Sequence, residues 1–179
     1  MAHIHTDAPS DYLSDHIELL KSVPNKTALD VACGKGRNSI YLAQNGFNVT
    51  GLELNPDAIA HVQKTAEALN LPVTVEAKDL ESGEAELPLV GYGIVSVFYY
   101  LYRPLLKPIR DAVAPGGFVI YETFLIDQHE RWGSPRRAEF ALGHNELLDT
   151  FMGFRIHHYE EVVDETNQSA IARIIAQRV

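Results

Sequence analysis

The sequence predicts an α/β protein built on a doubly wound, mostly parallel sheet, and three observations carry that expectation. Residues 27–57 read as strand, small-residue loop, helix and strand, with an acid near the end of each strand. Further apolar runs at 73–77, 93–101 and 118–121 alternate with helix-like stretches, the pattern of crossovers between parallel strands. Two last β-rich runs, 154–162 and 169–179, are separated only by the polar turn 164–168 and close the chain as a strand pair. A length of 179 residues fits one domain, and 1–179 is read as one.

Each element has its own signal. Residues 1–10 read as a tail, and 1–24 as that tail plus a helix. From Asp11, the residues Tyr12, Leu13, Ile17 and Leu20 fall on one helical face, with Ser10 or Asp11 as cap. Pro24-Asn25 ends it. The first strand carries Ala28, Leu29 and Val31, with Asp30 near its end. The loop Ala32-Cys33-Gly34-Lys35-Gly36 leads to a helix over 38–44, which Asn45-Gly46 stops. A second strand, 47–54, holds Glu53 near its tip.

Asn55-Pro56-Asp57 starts the next helix with a capping amide and a proline whose missing N–H costs nothing there. Its buried stripe is Ile59, Val62, Ala66 and Leu69. Asn70-Leu71-Pro72 closes it, and the strand 73–77 ends near Asp79. Residues 81–92 read as a loop with a short turn. The β-branched and aromatic run 93–101 predicts a central strand buried on both faces. Its end, Phe98-Tyr99-Tyr100, emerges at the same edge as Asp30 and Glu53. Strand neighbours alternate faces, so at least one of these aromatics faces the crevice there.

Arg103-Pro104 begins a helix with Leu105, Leu106, Ile109 and Val113 that Pro108 kinks or shortens. Residues 114–117 form a sharp turn before the fifth strand, 118–121. Residues 122–143 are a long polar excursion holding the single tryptophan and three arginines, and such loops are functional or disordered. Asn145 caps a last helix (Leu147, Leu148, Phe151), and Gly153 ends it.

The loop after the first strand states the chemistry. Small residues let a ligand approach the backbone, and the first helical turn offers unpaired N–H groups to a carboxylate or phosphate. Glu53, 17 positions beyond Gly36, can accept both hydroxyl protons of a ribose. A dinucleotide and S-adenosylmethionine both fit this description. The third glycine of a dinucleotide fingerprint is replaced by Ser39. Asp30 would oppose a pyrophosphate, whereas it suits an ammonium group.

The run Leu29-Asp30-Val31-Ala32-Cys33-Gly34-Lys35-Gly36 resembles the first motif of class I S-adenosylmethionine-dependent methyltransferases, usually written with glycine where Ala32 stands. The continuation through Arg37, Asn38 and Ser39 is most similar to the small tellurite-resistance type. Pro115-Gly116-Gly117 before the fifth strand is a second family-like motif. The resemblance implies a Rossmann-like sheet of seven strands in the order 3-2-1-4-5-7-6, with strand 7 antiparallel. It also implies that the N-terminal helix is either a lid over the cofactor or a helix packed on the sheet.

By the same resemblance, S-adenosylmethionine lies with its methionine end at Ala32, Cys33, Gly34, Gly36 and Arg37 and its ammonium near Asp30. Arg37 has the alternative of being an exposed first-turn charge. Glu53 would hold the ribose, Leu54 one face of adenine, and Asp79 and Leu80 its edge, with Val97 on the neighbouring strand. Tyr99 or Tyr100 would stand near the sulfonium. Glu122 and Tyr121 are candidates for the acceptor's polar contacts, as are His129 and Arg131 with Trp132, Arg136 and Arg137. Arginine beside an aromatic suits a small anion; the alternative is that these arginines are solvated or paired with Glu130 and Glu139. The implied activity is methyl transfer to a small-molecule acceptor, an oxyanion such as tellurite or a small thiol or acid. An NAD-dependent oxidoreductase and a non-catalytic S-adenosylmethionine-binding module are the alternatives.

Other classes are disfavoured. Acids outnumber bases 24 to 15, and a net charge of −9 opposes binding to a nucleic-acid backbone. No apolar run reaches membrane-spanning length, and the start lacks the apolar core of a signal peptide. One cysteine forbids an internal disulfide and agrees with a cytoplasmic setting. Clustered metal ligands are missing, so no metal is expected. His157-His158 sits in a strand pattern and reads as surface. Cys33 follows a strand at a helix start, a place that lowers thiol pKa, but a position under the cofactor argues against a catalytic thiol. A monomer or a homodimer is expected.

Overall fold

The sheet grows in both directions from β1 (Thr27–Val31). On one side β1 pairs in parallel with β2 (Asn48–Glu53), and β2 with β3 (Val73–Ala77). On the other it pairs in parallel with β4 (Tyr92–Phe98), and β4 with β5 (Val113–Phe124). β7 (Ser169–Gln177) runs antiparallel to β5, and β6 (Arg155–Asp164) antiparallel to β7. The order β3-β2-β1-β4-β5-β7-β6 is therefore the Rossmann-like one that the motif implied. This computed structural model describes residues 8–83, 86–88 and 91–179. Part of the expected tail and part of the expected 81–92 loop lie outside them.

Alternation along the strands separates two apolar layers. Leu29, Val31, Val95 and Val97 point to one, with Tyr121 and Ile174, while Ala28, Val49, Ile94 and Ile120 point to the other. β4 is buried along its whole length, as a central parallel strand should be. Each fully buried Leu, Ile or Val stabilises the fold by about 1.5–3 kcal/mol.

The expected N-terminal helix is two short ones, α1 (Asp11–Asp15) and α2 (Ile17–Leu20), interrupted at His16. Their buried face, Tyr12, Leu13, Ile17 and Leu20, packs on the second layer. Ser10 takes the N-cap position, but its hydroxyl donates to Glu122 at 3.3 Å instead of capping. α3 (Arg37–Gln44) and α4 (Pro56–Ala68) follow the glycine loop and β2. Asn55 caps α4 as expected, accepting from the N–H groups of Asp57 and Ala58. The α4 stripe is Ala58, Val62 and Ala66; Leu69 falls beyond the helix end and is exposed.

The expected turn at 114–117 belongs to β5, whose pairing starts at Val113 opposite Tyr92. Gly117 makes that pairing possible, since a Cβ there would stand 2.8 Å from the Tyr92 carbonyl oxygen. Pro108 lies in the first turn of α5 (Leu106–Ala112), where no intrahelical N–H is lost. The expected excursion is more regular than its polarity suggests. Residues 122–124 finish β5, α6 (Ile126–Trp132) follows, and a 3-10 turn spans 138–140. Asn145 precedes α7 (Glu146–Thr150) in a left-handed conformation without a side-chain cap; its N–H donates to Glu161 instead. No helix among the described residues is long and apolar enough to cross a membrane.

Candidate functional site

The chain winds from β1 towards β2 and β3 in one direction and reaches β4 and β5 in the other. The carboxyl ends of β1 and β4 thus diverge at a switch point, where such sheets bind ligands. A cavity of about 630 Å³ opens there, within the range of small-molecule clefts.

Its floor is the loop between β1 and α3. Ala32, Gly34 and Gly36 all have left-handed backbones, with φ of 55°, 55° and 77°. For Ala32, where the family motif has glycine, that conformation costs about 1–2 kcal/mol. The Glu53 carboxylate ties the loop to the end of β2. One oxygen accepts the Gly34 N–H at 2.9 Å, and the other accepts those of Leu54 at 2.9 Å and Asn55 at 2.8 Å.

Asp30 faces the cavity from the end of β1 yet is only 2 % exposed. Ser96, its register partner on β4, donates to one oxygen at 2.8 Å, and Ser39 of α3 donates to the other at 2.5 Å. Burial pushes the carboxyl up to about 6; the two serines and the charge of Arg37 pull against that rise without cancelling it. Cys33 also lines the cavity, and burial, with the charges of Asp30 and Glu53, pushes its thiol well above the ordinary range. Burial thus outweighs the lowering that a helix start would confer, which argues against a nucleophilic thiolate.

Phe98 and Tyr99 form the wall at the end of β4. Tyr99 has a left-handed backbone, φ 54°, and donates its N–H to the Glu122 carbonyl at 2.8 Å. Burial, reinforced by the Glu122 charge, raises the pKa of its hydroxyl, so the phenol stays protonated. Of the three aromatics at this strand end, Tyr100 turns away and packs on the opposite layer. Its hydroxyl has no hydrogen-bond partner among the described residues.

Asp30, Ala32, Cys33, Gly34, Arg37, Glu53 and Tyr99 are thus brought together around one cavity. Gly36 closes the loop behind them against Val62. The other candidates are placed elsewhere. Leu54 is exposed beside Glu53, Asp79 is exposed and accepts the Glu81 N–H, and Leu80 and Val97 are buried in the core. Glu122 is buried beneath Ser10 and paired with Arg173. His129 bonds the Pro135 carbonyl from α6, while Arg131 pairs with Asp127 and Glu165, and Arg137 with Glu139. His158 is not a bare surface residue, because Tyr12 shares a hydrogen bond with it at 2.9 Å. Among the described residues no group of three metal-binding side chains occurs.

Several lining residues escaped the sequence. Asn38, in the first turn of α3, is buried and accepts the Ser10 N–H at 2.9 Å, so the N-terminal segment crosses the cavity edge at this point. Ala58, His61 and Thr65 line the cavity from one stripe of α4. Their i, i+3, i+7 spacing was the available signal.

Comparison with known proteins agrees with this geometry. A family model described as tellurite resistance protein TehB matches residues 7–173. The probable S-adenosyl-L-methionine-dependent methyltransferase TehB of Haemophilus influenzae is 25 % identical over 160 residues, covering 87 % of this chain and 55 % of the relative. The crystal structure of TehB from the same organism superposes with a TM-score of 0.76 at 21 % identity, covering 93 % of this chain and 62 % of that one. A crystal structure of an S-adenosylmethionine-dependent methyltransferase from Mesorhizobium loti gives 0.71 at 16 % identity, covering 94 % and 99 %. These two superpositions speak for the fold alone. The chain spans about half the length of the curated relatives it matches.

Proposed function

The chain belongs to the tellurite resistance protein TehB family, and on that premise we propose that it transfers the methyl group of S-adenosylmethionine to a small-molecule acceptor. The observation that carries this is the pairing of two acids, Asp30 and Glu53, across a left-handed small-residue loop at the switch point of the sheet.

The residues suit that cofactor. Gly34 has open space where a Cβ would stand, so a ligand can lie against its backbone. Glu53 presents a carboxylate already oriented by three N–H groups, for the ribose hydroxyls. Asp30, desolvated and only partly compensated by two serine hydroxyls, gains from an ammonium beside it. The first turn of α3 offers its N–H groups to the methionine carboxylate.

When bound, S-adenosylmethionine supplies a methyl group made electrophilic by its sulfonium, so the chain needs neither a metal nor a covalent intermediate. Phe98 and Tyr99 exclude water from the acceptor end and offer ring faces to positive charge. Orientation of the two reactants can supply roughly 7–11 kcal/mol of the acceleration. Because its phenol stays protonated, Tyr99 does not serve as a base.

Arg131 and Arg137, two of the arginines that suggested an anionic acceptor, are paired with acids, so that class draws no support from those two. Lys35 and Arg37 are the cations that line the cavity, and a small neutral or anionic acceptor suits them. Calorimetry against S-adenosylmethionine, S-adenosylhomocysteine and NAD tests the binding step. Micromolar binding of the first two and none of NAD is expected; the converse would establish a dinucleotide enzyme. Turnover across oxyanions, thiols and carboxylic acids then separates an enzyme from a binding module.

A further inference from the structure

Arg173 on β7 lies opposite Glu122 of β5 and Glu160 of β6, so three charged side chains cross three strands in one row. Its Nε donates to Glu122 at 2.6 Å and its Nη1 to Glu160 at 3.0 Å. The guanidinium also covers the Tyr12 ring, 5.2 Å from the centroid. Glu122 is 2 % exposed, and a carboxylate buried that deeply needs a cationic partner.

Glu122 meets Tyr99 twice. Its carbonyl accepts the Tyr99 N–H, and its carboxylate faces the Tyr99 hydroxyl. Tyr99 therefore keeps its left-handed backbone because Glu122 holds it from both ends. Arg173 does not line the cavity, yet it fixes the carboxylate that faces the Tyr99 hydroxyl.

We propose that Arg173 is a positioning residue, acting through Glu122 to hold Tyr99 as the wall at the acceptor end of the cavity. The inference rests on the methyltransferase reading for its role, but its geometry stands without it. Loss of the guanidinium leaves Glu122 buried without a cationic partner, and the carboxylate turns towards its remaining donors. That change releases Tyr99. Lysine keeps the charge but not the fork that reaches both carboxylates at once, so it restores the position only in part.

The test uses the full chain labelled with 3-fluorotyrosine, in which Tyr99→Phe identifies the Tyr99 resonance among the eight tyrosines. Arg173→Gln should shift or broaden that resonance, along with Tyr12, which Arg173 covers; Arg173→Lys should do so less. S-adenosylhomocysteine affinity should stay within about twofold, while turnover with tellurite or 2-mercaptoethanol falls about tenfold, as for a misplaced contact felt only at the reacting end. That loss should vanish in the Tyr99→Phe background. A Tyr99 resonance unmoved by Arg173→Gln overturns the proposal, and so does an equal turnover loss without the Tyr99 hydroxyl. Should Arg173→Gln fail to fold, Arg173→Lys is judged by the same resonance, and the resonance alone decides if the parent methylates neither probe. A parent that fails to bind S-adenosylhomocysteine removes the methyltransferase reading, while the Tyr99 signal still reports on Arg173.

Discussion

The Gly34 N–H and the Glu53 carboxylate meet at 2.9 Å, so the acid that ends β2 also holds the loop that follows β1. On the proposed reading two functions converge on one side chain, since the same carboxylate would also bind the ribose. Glu53→Ala should therefore lose both. We expect S-adenosylhomocysteine affinity to fall by at least tenfold and thermal stability by about 1–3 kcal/mol, the cost of leaving backbone donors without their acceptor. Glu53→Gln retains one acceptor oxygen of the two in use and should recover part of the stability but little of the affinity. Calorimetry paired with thermal melts separates the effects; unchanged binding by Glu53→Ala would remove this residue from the site.

The two glycines of the loop should respond differently to the same methyl group. Gly36 has φ 77°, and a Cβ there would stand 2.6 Å from a Val62 methyl carbon, so Gly36→Ala meets both backbone strain and a clash between α3 and α4. Gly34 has φ 55° with nothing within 4 Å, so Gly34→Ala meets backbone strain alone. We expect about 1–2 kcal/mol lost for Gly34→Ala and on the order of 1–3 kcal/mol more for Gly36→Ala, from overpacking. The order should invert for binding, because the proposed cofactor would lie in the open space above Gly34. Urea melts and calorimetry on the two variants check this, and equal losses on both measures would refute the division of labour.

The fold was legible because its signals are local and redundant. β1, α3 and β2 each carry their own periodicity, and Asn55-Pro56 caps α4 as its residues require. The excursion after β5 was not legible, since α6 is short and polar on its exposed side and Glu122 looks like a loop acid in sequence. Only the pairing of β5 with β7 reveals that Arg173 neutralises it. The cavity floor was readable because a left-handed loop needs small residues wherever it occurs. Its other walls depend on helix rotation, as at His61 and Thr65, or on strand register, as at Ser96 opposite Asp30. Register and rotation are tertiary outcomes that a single sequence does not display.

Asp30 yields the prediction with the sharpest pH signature. Its folded pKa of about 6 lies above the ordinary value of 3.8, because burial penalises the charged form. Between those values the native state binds more protons than the unfolded chain, so stability falls as pH rises, and the loss is complete above about pH 6. The full penalty is about 3 kcal/mol. Asp30→Asn carries no charge, and can accept from one serine through its amide oxygen while donating to the other through its amide N–H, so at pH 8 it should be more stable than the parent by on the order of 1–3 kcal/mol. That advantage should disappear below about pH 4, where the parent's Asp30 is protonated in both states. Binding should run the other way. An ammonium beside the ionised carboxylate repays the desolvation, so the parent should release a proton on binding S-adenosylmethionine near pH 6 and lose affinity below it. Asp30→Asn should bind weakly with no such pH dependence. Melts from pH 4 to 8, with calorimetry in two buffers of different ionisation enthalpy, measure both trends. A variant no more stable than the parent at pH 8 would show that Asp30 pays no burial penalty, and parent binding without proton release would separate it from the ammonium.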